Sequence, residues 1–168
     1  MTWRALYVAS RSEKKVASRL GELGIAAYLP LKKEKRQWSD RKKIVITPLI
    51  NGYVFVNLNE QQRELVFRAQ GVLQYVKFNG EDAVIREEEI QVLKDIESKG
   101  YHADAFANET FFKGDRALIR YGQFKGLFGV VEHQDNKDVY TLQLESIGYS
   151  LRITLPSETL AKIRPTIN

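Results

Sequence analysis

The sequence predicts an α+β domain, an antiparallel four-stranded sheet with helices packed on it, followed by a small all-β barrel. Three observations carry this. Over residues 1–99, extended runs and helical periodicities follow one another as strand, helix, two strands, helix, strand, helix. Beyond residue 110 every segment is short and strand-like, with glycines at the corners. Between the two regimes, residues 100–110 have no clear periodicity and read as a linker. The division is therefore 1–99, a linker over 100–110, and 111–168.

Residues 3–9 alternate at period two, with Trp3, Ala5 and Tyr7 on one face and Arg4, Leu6 and Val8 on the other, as in a central strand covered on both sides. Ser10-Arg-Ser-Glu13 has the spacing of a capping box; Val16, Leu20 and Leu23 follow at helical spacing, and Gly24 supplies a stop. Residues 25–31 form a second strand with Pro30 near its end. Residues 44–58 are a third extended stretch, interrupted by Pro48 and Asn51-Gly52 and ending in Tyr53-Val-Phe-Val56. The segment between these two stretches is the loop of a long hairpin. Asn59-Glu-Gln-Gln62 opens a second helix with Leu65, Val66 and Ala69 as its apolar stripe, ended by Gly71. Residues 72–78 are the fourth strand, Asn79-Gly80 a turn, and 87–98 a helix with Ile90, Leu93 and Ile96 inward and Gly100 beyond its end. In the barrel the strands are 116–120, 127–133, 139–144 and 150–155, with turns at Gly114, Gly122, Gly126, Asp135-Asn136 and Gly148. So small a barrel has little core and is only marginally stable alone.

The 168 residues carry 26 Lys and Arg against 21 Asp and Glu, a formal charge of +5. Its distribution is informative. Residues 100–168 are neutral, and Lys32, Lys33, Lys35, Arg36, Arg41, Lys42 and Lys43 against Glu34 and Asp40 account for the whole excess. A concentrated patch attracts a polyanion where a diffuse excess does not, or else serves as a solvated hairpin tip that keeps the chain soluble. No run approaches the roughly 18 to 20 apolar residues of a membrane helix, and the N-terminus lacks a signal-peptide apolar region. A soluble, intracellular protein without membrane association is expected. The absence of cysteine excludes a disulfide scaffold, a thiolate nucleophile and Cys-based metal sites.

Catalysis finds little support. His102 and His133 have no neighbouring ligand residue at a metal spacing, and no phosphate-binding glycine loop is present. Glu87, Glu88 and Glu89 are a carboxylate cluster, but consecutive helical residues do not converge on one point, and acidic residues in a first turn favour the helix dipole. A binding protein without cofactor or metal is expected rather than an enzyme.

Two sets of residues resemble the NusG family of transcription elongation factors. Trp3-Arg-Ala-Leu-Tyr7-Val-Ala-Ser-Arg11-Ser-Glu13-Lys14-Lys15-Val16, Pro48-Leu-Ile-Asn-Gly52-Tyr53-Val-Phe55-Val56 and Gly71-Val-Leu-Gln-Tyr75-Val-Lys77-Phe78 are similar to its N-terminal (NGN) domain. Phe112-Lys-Gly114-Asp115, with Gly122-x-x-x-Gly126-x-x-Gly129-Val130-Val131, resembles its KOW domain, an SH3-like barrel. The first set looks closer to the specialised RfaH and UpxY-type antiterminators than to housekeeping NusG. Two departures stand out: Arg4 where an aromatic is frequent, and Ile50-Asn51 where Pro often precedes Gly-Tyr. Asn tolerates the left-handed conformation, so the turn should survive.

The resemblance implies a cytoplasmic bacterial monomer that docks an apolar depression onto the coiled-coil clamp helices of the largest RNA polymerase subunit. The matching residues are Tyr7, Tyr53 and Tyr75, with Trp3, Ile50, Phe55 and Phe78 nearby. Tyr suits a wet-rimmed anchor, and the alternative for each ring is plain sheet core, the better reading of Trp3, Phe55 and Phe78. Gln62 to Leu65 match the part that bridges the polymerase cleft. Arg11, Lys14 and Lys15 match residues approaching non-template DNA, with Arg11 alternatively a solvated cap residue, and the Lys32–Lys43 hairpin extends toward upstream duplex. Phosphate contacts of this kind are salt-dependent and carry little sequence information. Bridging the cleft would hold the clamp closed and depopulate paused states, by differential affinity for the closed form. The KOW domain would recruit a ribosomal protein or termination factor, with Phe112, Phe124 and Phe128 as anchors or barrel core. A flexible linker is expected to leave it free, and the β-branched alternation of 139–155 favours strands over a helical alternative. The competing class is a KOW-type RNA- or ribosome-binding protein acting away from polymerase.

Overall fold

Period-two alternation with apolar residues on both faces makes β1 (Thr2–Val8) the spine of the first sheet: Ala5 and Leu6 are fully buried and Val8 nearly so. In the structure, a computed structural model, the backbone is described for residues 1–107, 117–118, 128–134 and 137–155, and side chains for 1–105, 107 and 141–154. After β1 come α1 (Glu13–Glu22), β2 (Ala26–Tyr28), β3 (Leu31–Gln37), β4 (Lys42–Pro48) and β5 (Tyr53–Leu58). Two 3-10 turns, Glu60–Gln62 and Leu65–Arg68, lead to β6 (Val72–Tyr75), then β7 (Lys77–Phe78), β8 (Glu81–Asp82) and β9 (Val84–Ile85). Next are α2 (Glu87–Lys99), β10 (His102–Ala107), β11 (Ala117–Leu118), β12 (Phe128–Gln134) and β13 (Lys137–Leu144), a 3-10 turn at Glu145–Ile147, and β14 (Tyr149–Leu155).

The first sheet has the order β2-β5-β1-β6, all antiparallel, with β9 paired to the start of β1. On one face Leu6, Val8, Val54, Val56 and Leu58 meet Val16 and Leu20 of α1 together with Ile25, Val66 and Ala69. On the other, Ala5 and Phe55 meet Ile90, Leu93 and Ile96 of α2. That second core continues into Leu142, Leu144, Ile147, Leu151 and Ile153 of a second antiparallel sheet, of order β10-β14-β13-β12-β11. The two sheets therefore share one apolar core. They also share a buried carboxylate. Glu89, 1% exposed, accepts the Arg86 amide at 3.1 Å, the Ser146 amide at 3.2 Å and the Ser146 hydroxyl. A carboxylate this buried is tolerable only because each oxygen has donors, two of which come from the second sheet's turn.

Five local expectations are corrected. The segment after Asn59 is two 3-10 turns rather than a helix: Asn59 and Gln62 cap each other, and the buried pair Val66 and Ala69 is spaced by three, the 3-10 period. Ser10 is not a helix cap; Ser12 occupies that position without a side-chain bond, and the Glu13 carboxylate is taken by the Gly52 amide. The basic segment is not loop but strand. β3 and β4 pair from Leu31↔Pro48 to Gln37↔Lys42, which reduces the loop to a turn closed by Trp38 N–H to Arg41 carbonyl at 2.8 Å. Lysine stems opposite Ile44 and Ile46 supply the cross-strand contacts. Residues 25–31 and 72–78 each break in two, at Leu29-Pro30 and at Val76. Finally, residues 102–107 are a strand paired along β14, from His102↔Thr154 to Ala107↔Tyr149. Alanines at alternate positions hide its periodicity, and the partner strand supplies the order.

The strands expected at 127–133, 139–144 and 150–155 lie within two residues of β12, β13 and β14 of the second sheet, and Gly148 turns with φ +64°. The corners at Gly114, Gly122, Gly126 and Asp135-Asn136 fall outside the described residues. Among the described residues no helix is long and apolar enough to cross a membrane.

Gly71 joins β6 to α1. Its φ is +105°, and a Cβ there would lie 2.7 Å from Val16 Cγ2 in the core. Gly71→Ala should destabilise the fold by about 2–4 kcal/mol in urea unfolding, combining positive-φ strain with overpacking.

Candidate functional site

The end of β1 and the start of β5 bring Tyr7 opposite Tyr53, with ring centroids 5.8 Å apart and planes at 83°. The turn before β5 makes room for this pair. Gly52 has φ +78°, and a Cβ there would be 3.2 Å from Tyr7 Cε2, so the Tyr7 ring lies on bare backbone. The turn is held by Val8 N–H to Gly52 carbonyl at 2.8 Å and by Gly52 N–H to Glu13 Oε1 at 2.9 Å. The turn survives Asn51 as expected, with the positive φ falling on Gly52. Ile50 is buried beneath it. Tyr7 is 43% exposed. Tyr53 is half-buried, because its other side meets Tyr149 of β14 at 5.2 Å. Burial, followed by the Tyr149 hydrogen bond, holds the Tyr53 hydroxyl well above the usual phenol range.

The remaining aromatics separate from this pair. Tyr75 stands opposite Leu6, not Tyr7, and so enters the α1-side core; its hydroxyl donates to the Arg63 carbonyl at 2.8 Å and its ring meets Phe67 edge-on. Phe55 is wholly buried under α2. Trp3 is half-buried, donating Nε1–H to Glu87 at 2.8 Å with the Lys94 ammonium 5.4 Å from its ring. Phe78, read as core, stands exposed beside Gly148, because the strand breaks at Val76 and period-two extrapolation stops there. Gln62 caps its 3-10 turn and reaches the Gly24 carbonyl at 3.4 Å, and Leu65 packs on the α1-side core. The sequence reading missed Phe67, exposed near both; only its position on the outer side of a 3-10 turn reveals it.

Beside the Tyr7–Tyr53 pair a cleft of about 1120 Å³ opens between α1, the β3–β4 ribbon and β10. Arg11, Glu13, Lys14 and Lys15 form one wall; Lys32, Glu34 and Arg36 form the other, with Tyr7, Gly52, Ala105 and Tyr149 among the lining. Arg11 sits at φ +60°, and α1 begins without a side-chain cap, so its dipole adds to the positive wall. Lys14 Nζ donates to the Ile46 carbonyl at 2.9 Å, tying the ribbon to α1.

The ribbon is two-faced. On its inner face Lys32 lies 2.9 Å from Glu34 and 2.8 Å from Asp104 of β10, and Arg36 lies 3.2 Å from Glu34. Burial lowers the Lys32 pKa, but the hydrogen bonds to Asp104 and Glu34 more than reverse it, and Lys32 in turn holds Asp104 below the usual carboxylate range. The outer face carries Lys33, Lys35, Lys42, exposed Ile44 and exposed Ile46 with no acidic residue, and Trp38 is 56% exposed at the tip, in one turn with Asp40 and Arg41. Among the described residues no cluster of His, Asp and Glu could hold a metal ion. Glu87 and Glu89 diverge to Trp3 and Ser146. Of the candidate KOW glycines, Gly129 lies on β12 opposite Ala117 and Leu142, with Phe128 next to it; Gly122, Gly126, Phe112 and Phe124 lie outside the described residues.

Residues 1–94 match the family model described as transcription termination factor nusG. No curated protein sequence matches the chain. Among solved structures, one described as domain interaction in Thermotoga maritima NusG is similar at a TM-score of 0.59 and 17% identity, covering 99% of this chain and 97% of that one. The MjSpt4:Spt5 complex in conformation B aligns at a TM-score of 0.33 and 20% identity, covering 99% and 98%. At these identities the likeness to Thermotoga NusG concerns the fold.

Because Glu13 satisfies a buried Gly52 amide, Glu13→Ala should cost about 1–3 kcal/mol in chemical denaturation, whereas Glu13→Gln, which retains an acceptor oxygen, should recover most of that loss.

Proposed function

The chain belongs to the NusG family, and from that premise we propose that it is an elongation factor that docks on RNA polymerase through the Tyr7–Tyr53 surface. On this reading the surface receives the clamp helices of the largest subunit. Non-template DNA follows the Arg11, Lys14 and Lys15 wall, upstream duplex meets the ribbon, and the result is reduced pausing or termination on particular long operons, such as those for polysaccharide biosynthesis. The observation that carries it is continuity: Tyr7 belongs both to a rigid, part-exposed aromatic pair and to the lining of the cationic cleft. Large rings with wet hydroxyls suit a protein anchor, and a groove whose α1 wall is net cationic suits a phosphate backbone. One surface therefore offers both chemistries needed to hold a polymerase and the strand it separates.

Tyr149 covers Tyr53 in this structure. Docking on polymerase therefore requires β14 and its sheet to move away, and the apparent affinity is the intrinsic one reduced by the fraction of molecules already open. Once released, the second sheet becomes available to its own partner, a ribosomal protein or a termination factor. One observation favours the second reading, an RNA- or ribosome-binding protein acting away from polymerase: the acid-free outer face of the ribbon with Trp38 at its tip.

Capture of core RNA polymerase separates the two. Tyr53→Ala should lower capture about tenfold or more while leaving RNA binding unchanged. Ser146→Ala, which removes a donor to Glu89 and loosens the docked sheet, should raise capture severalfold. If saturating protein leaves pausing of core polymerase unchanged on a pause-rich template, the polymerase reading is wrong.

A further inference from the structure

We propose that the cleft beside Tyr7 is a binding site for a nucleoside polyphosphate, its phosphates held by the α1 wall and its base laid against the tyrosine side of the lining. This goes beyond the polymerase-docking reading and does not rest on it.

The lining has two chemical halves. One is cationic: Arg11, Lys14 and Lys15 at the start of α1 and Lys32 and Arg36 on the ribbon, against the carboxylates of Glu13 and Glu34. Both carboxylates are already engaged, Glu13 by the Gly52 amide and Glu34 by the two ribbon cations. The α1 cations are not neutralised in this way. Among the described residues Arg11 and Lys15 have no ion-pair partner. Lys14 donates to the Ile46 carbonyl, which leaves its other ammonium protons for a ligand. Ser12 begins α1 without a side-chain bond, so the first amides and the helix dipole add to the same wall. Positive charge with donors to spare, gathered at one end of a partly enclosed space, suits a chain of phosphates.

The other half is apolar and aromatic: Tyr7 and Ile46 with Ala105, Ala107 and Tyr149 of the second sheet. The chain leaves β1 just after Tyr7 and turns directly into α1, which sets this ring next to the cations. One side of the Tyr7 ring lies on Gly52, and the part that stays exposed offers a surface on which a base can stack. An inorganic anion leaves this half unused. The volume of about 1120 Å³ is also far beyond a single phosphate and accommodates a base, a sugar and several phosphates. The walls are tied together before any ligand arrives. Lys14 to the Ile46 carbonyl at 2.9 Å joins α1 to the ribbon, and Lys32 to Asp104 at 2.8 Å joins the ribbon to β10. A preformed site avoids the cost of ordering its own side chains. A nucleic-acid strand can follow the α1 wall without touching the second sheet. The small ligand lies against β10 and β14 as well, and that difference separates the two in experiment.

The full chain is titrated calorimetrically with ATP, GTP, inorganic tripolyphosphate, adenosine and a short oligothymidylate, all without divalent cation. ATP and GTP should bind at one site per chain. Tripolyphosphate should bind about fivefold or more weakly, the lower end of what one stacked base contributes, and adenosine more weakly still. Arg11→Gln combined with Lys15→Gln should weaken ATP and tripolyphosphate alike, by about tenfold. Tyr7→Ala should weaken ATP about fivefold or more and leave tripolyphosphate unchanged, which also reports that the variant is folded. Ala107 is exposed, so Ala107→Glu brings a carboxylate to the second-sheet side of the cleft without entering the core. It should weaken ATP about two- to fivefold by like-charge repulsion and leave the oligothymidylate unaffected. ATP binding with these effects but no oligothymidylate binding supports this site while removing the nucleic-acid reading of the wall. Equal affinity for tripolyphosphate and ATP reduces the cleft to an inorganic anion site and overturns the proposal. ATP binding that is indifferent to the Arg11 and Lys15 substitutions and to Ala107→Glu places the ligand elsewhere and overturns it too, as does an absence of ATP binding at millimolar concentration.

Discussion

Burial of β1 on both faces is the constraint from which the rest of the structure follows. A strand hydrogen-bonded along both edges, with Ala5 and Leu6 fully buried on opposite sides, needs a cover on each. The cover over Leu6 is α1 with the 3-10 turns, and the cover over Ala5 is α2. Neither extends over the exit of β1, where Tyr7 stands part-exposed against Tyr53 and the second sheet completes the cover. The candidate surface is thus the part of an apolar face that α1 and α2 leave open and the second sheet covers.

Electrostatics divides the same region. The formal excess of +5 is not a uniform patch, because the ribbon sorts its charges by face. The inner cations Lys32 and Arg36 have carboxylate partners, and outer ones stand among exposed aliphatic side chains without acidic neighbours. Glu89 is the opposite case, a carboxylate sunk in the shared core and held by donors from both sheets. Separating the sheets removes the Ser146 donors but leaves those of Arg86, and water can replace what is lost. The latch therefore holds the closed form without making the open one prohibitive.

On the proposed function the arrangement acts as a two-state element. Apolar contact, the Glu89–Ser146 bonds and the Lys32–Asp104 pair all favour the docked sheet, while a partner on the aromatic surface would favour its release. None of these contacts need be strong alone. Their sum sets the open fraction, and each ligand shifts it by the difference in its affinity for the two forms.

Much of this was legible in the residues. The alternation at 3–9 placed the central strand, Val16 and Leu20 placed α1, Ile90, Leu93 and Ile96 placed the inward face of α2, and the strands beyond 127 fell within two residues of their expected positions. Local pattern suffices there because period and burial coincide. It failed where a partner distant in sequence decided the outcome. Glu13, spaced as a cap, was recruited by Gly52, thirty-nine residues away. Residues 102–107, aperiodic in composition, became a strand because β14 offered an edge. Tyr53 and Tyr75, alike in the sequence, went to opposite faces because β1 lies between them and registers Tyr7 with one and Leu6 with the other. The sequence by itself determined the central strands, the two long helices and where the charge lies. Only the tertiary structure decided which tyrosine faces outward and which lysine has an anion beside it, because both depend on strand register and sheet docking, which no single segment encodes.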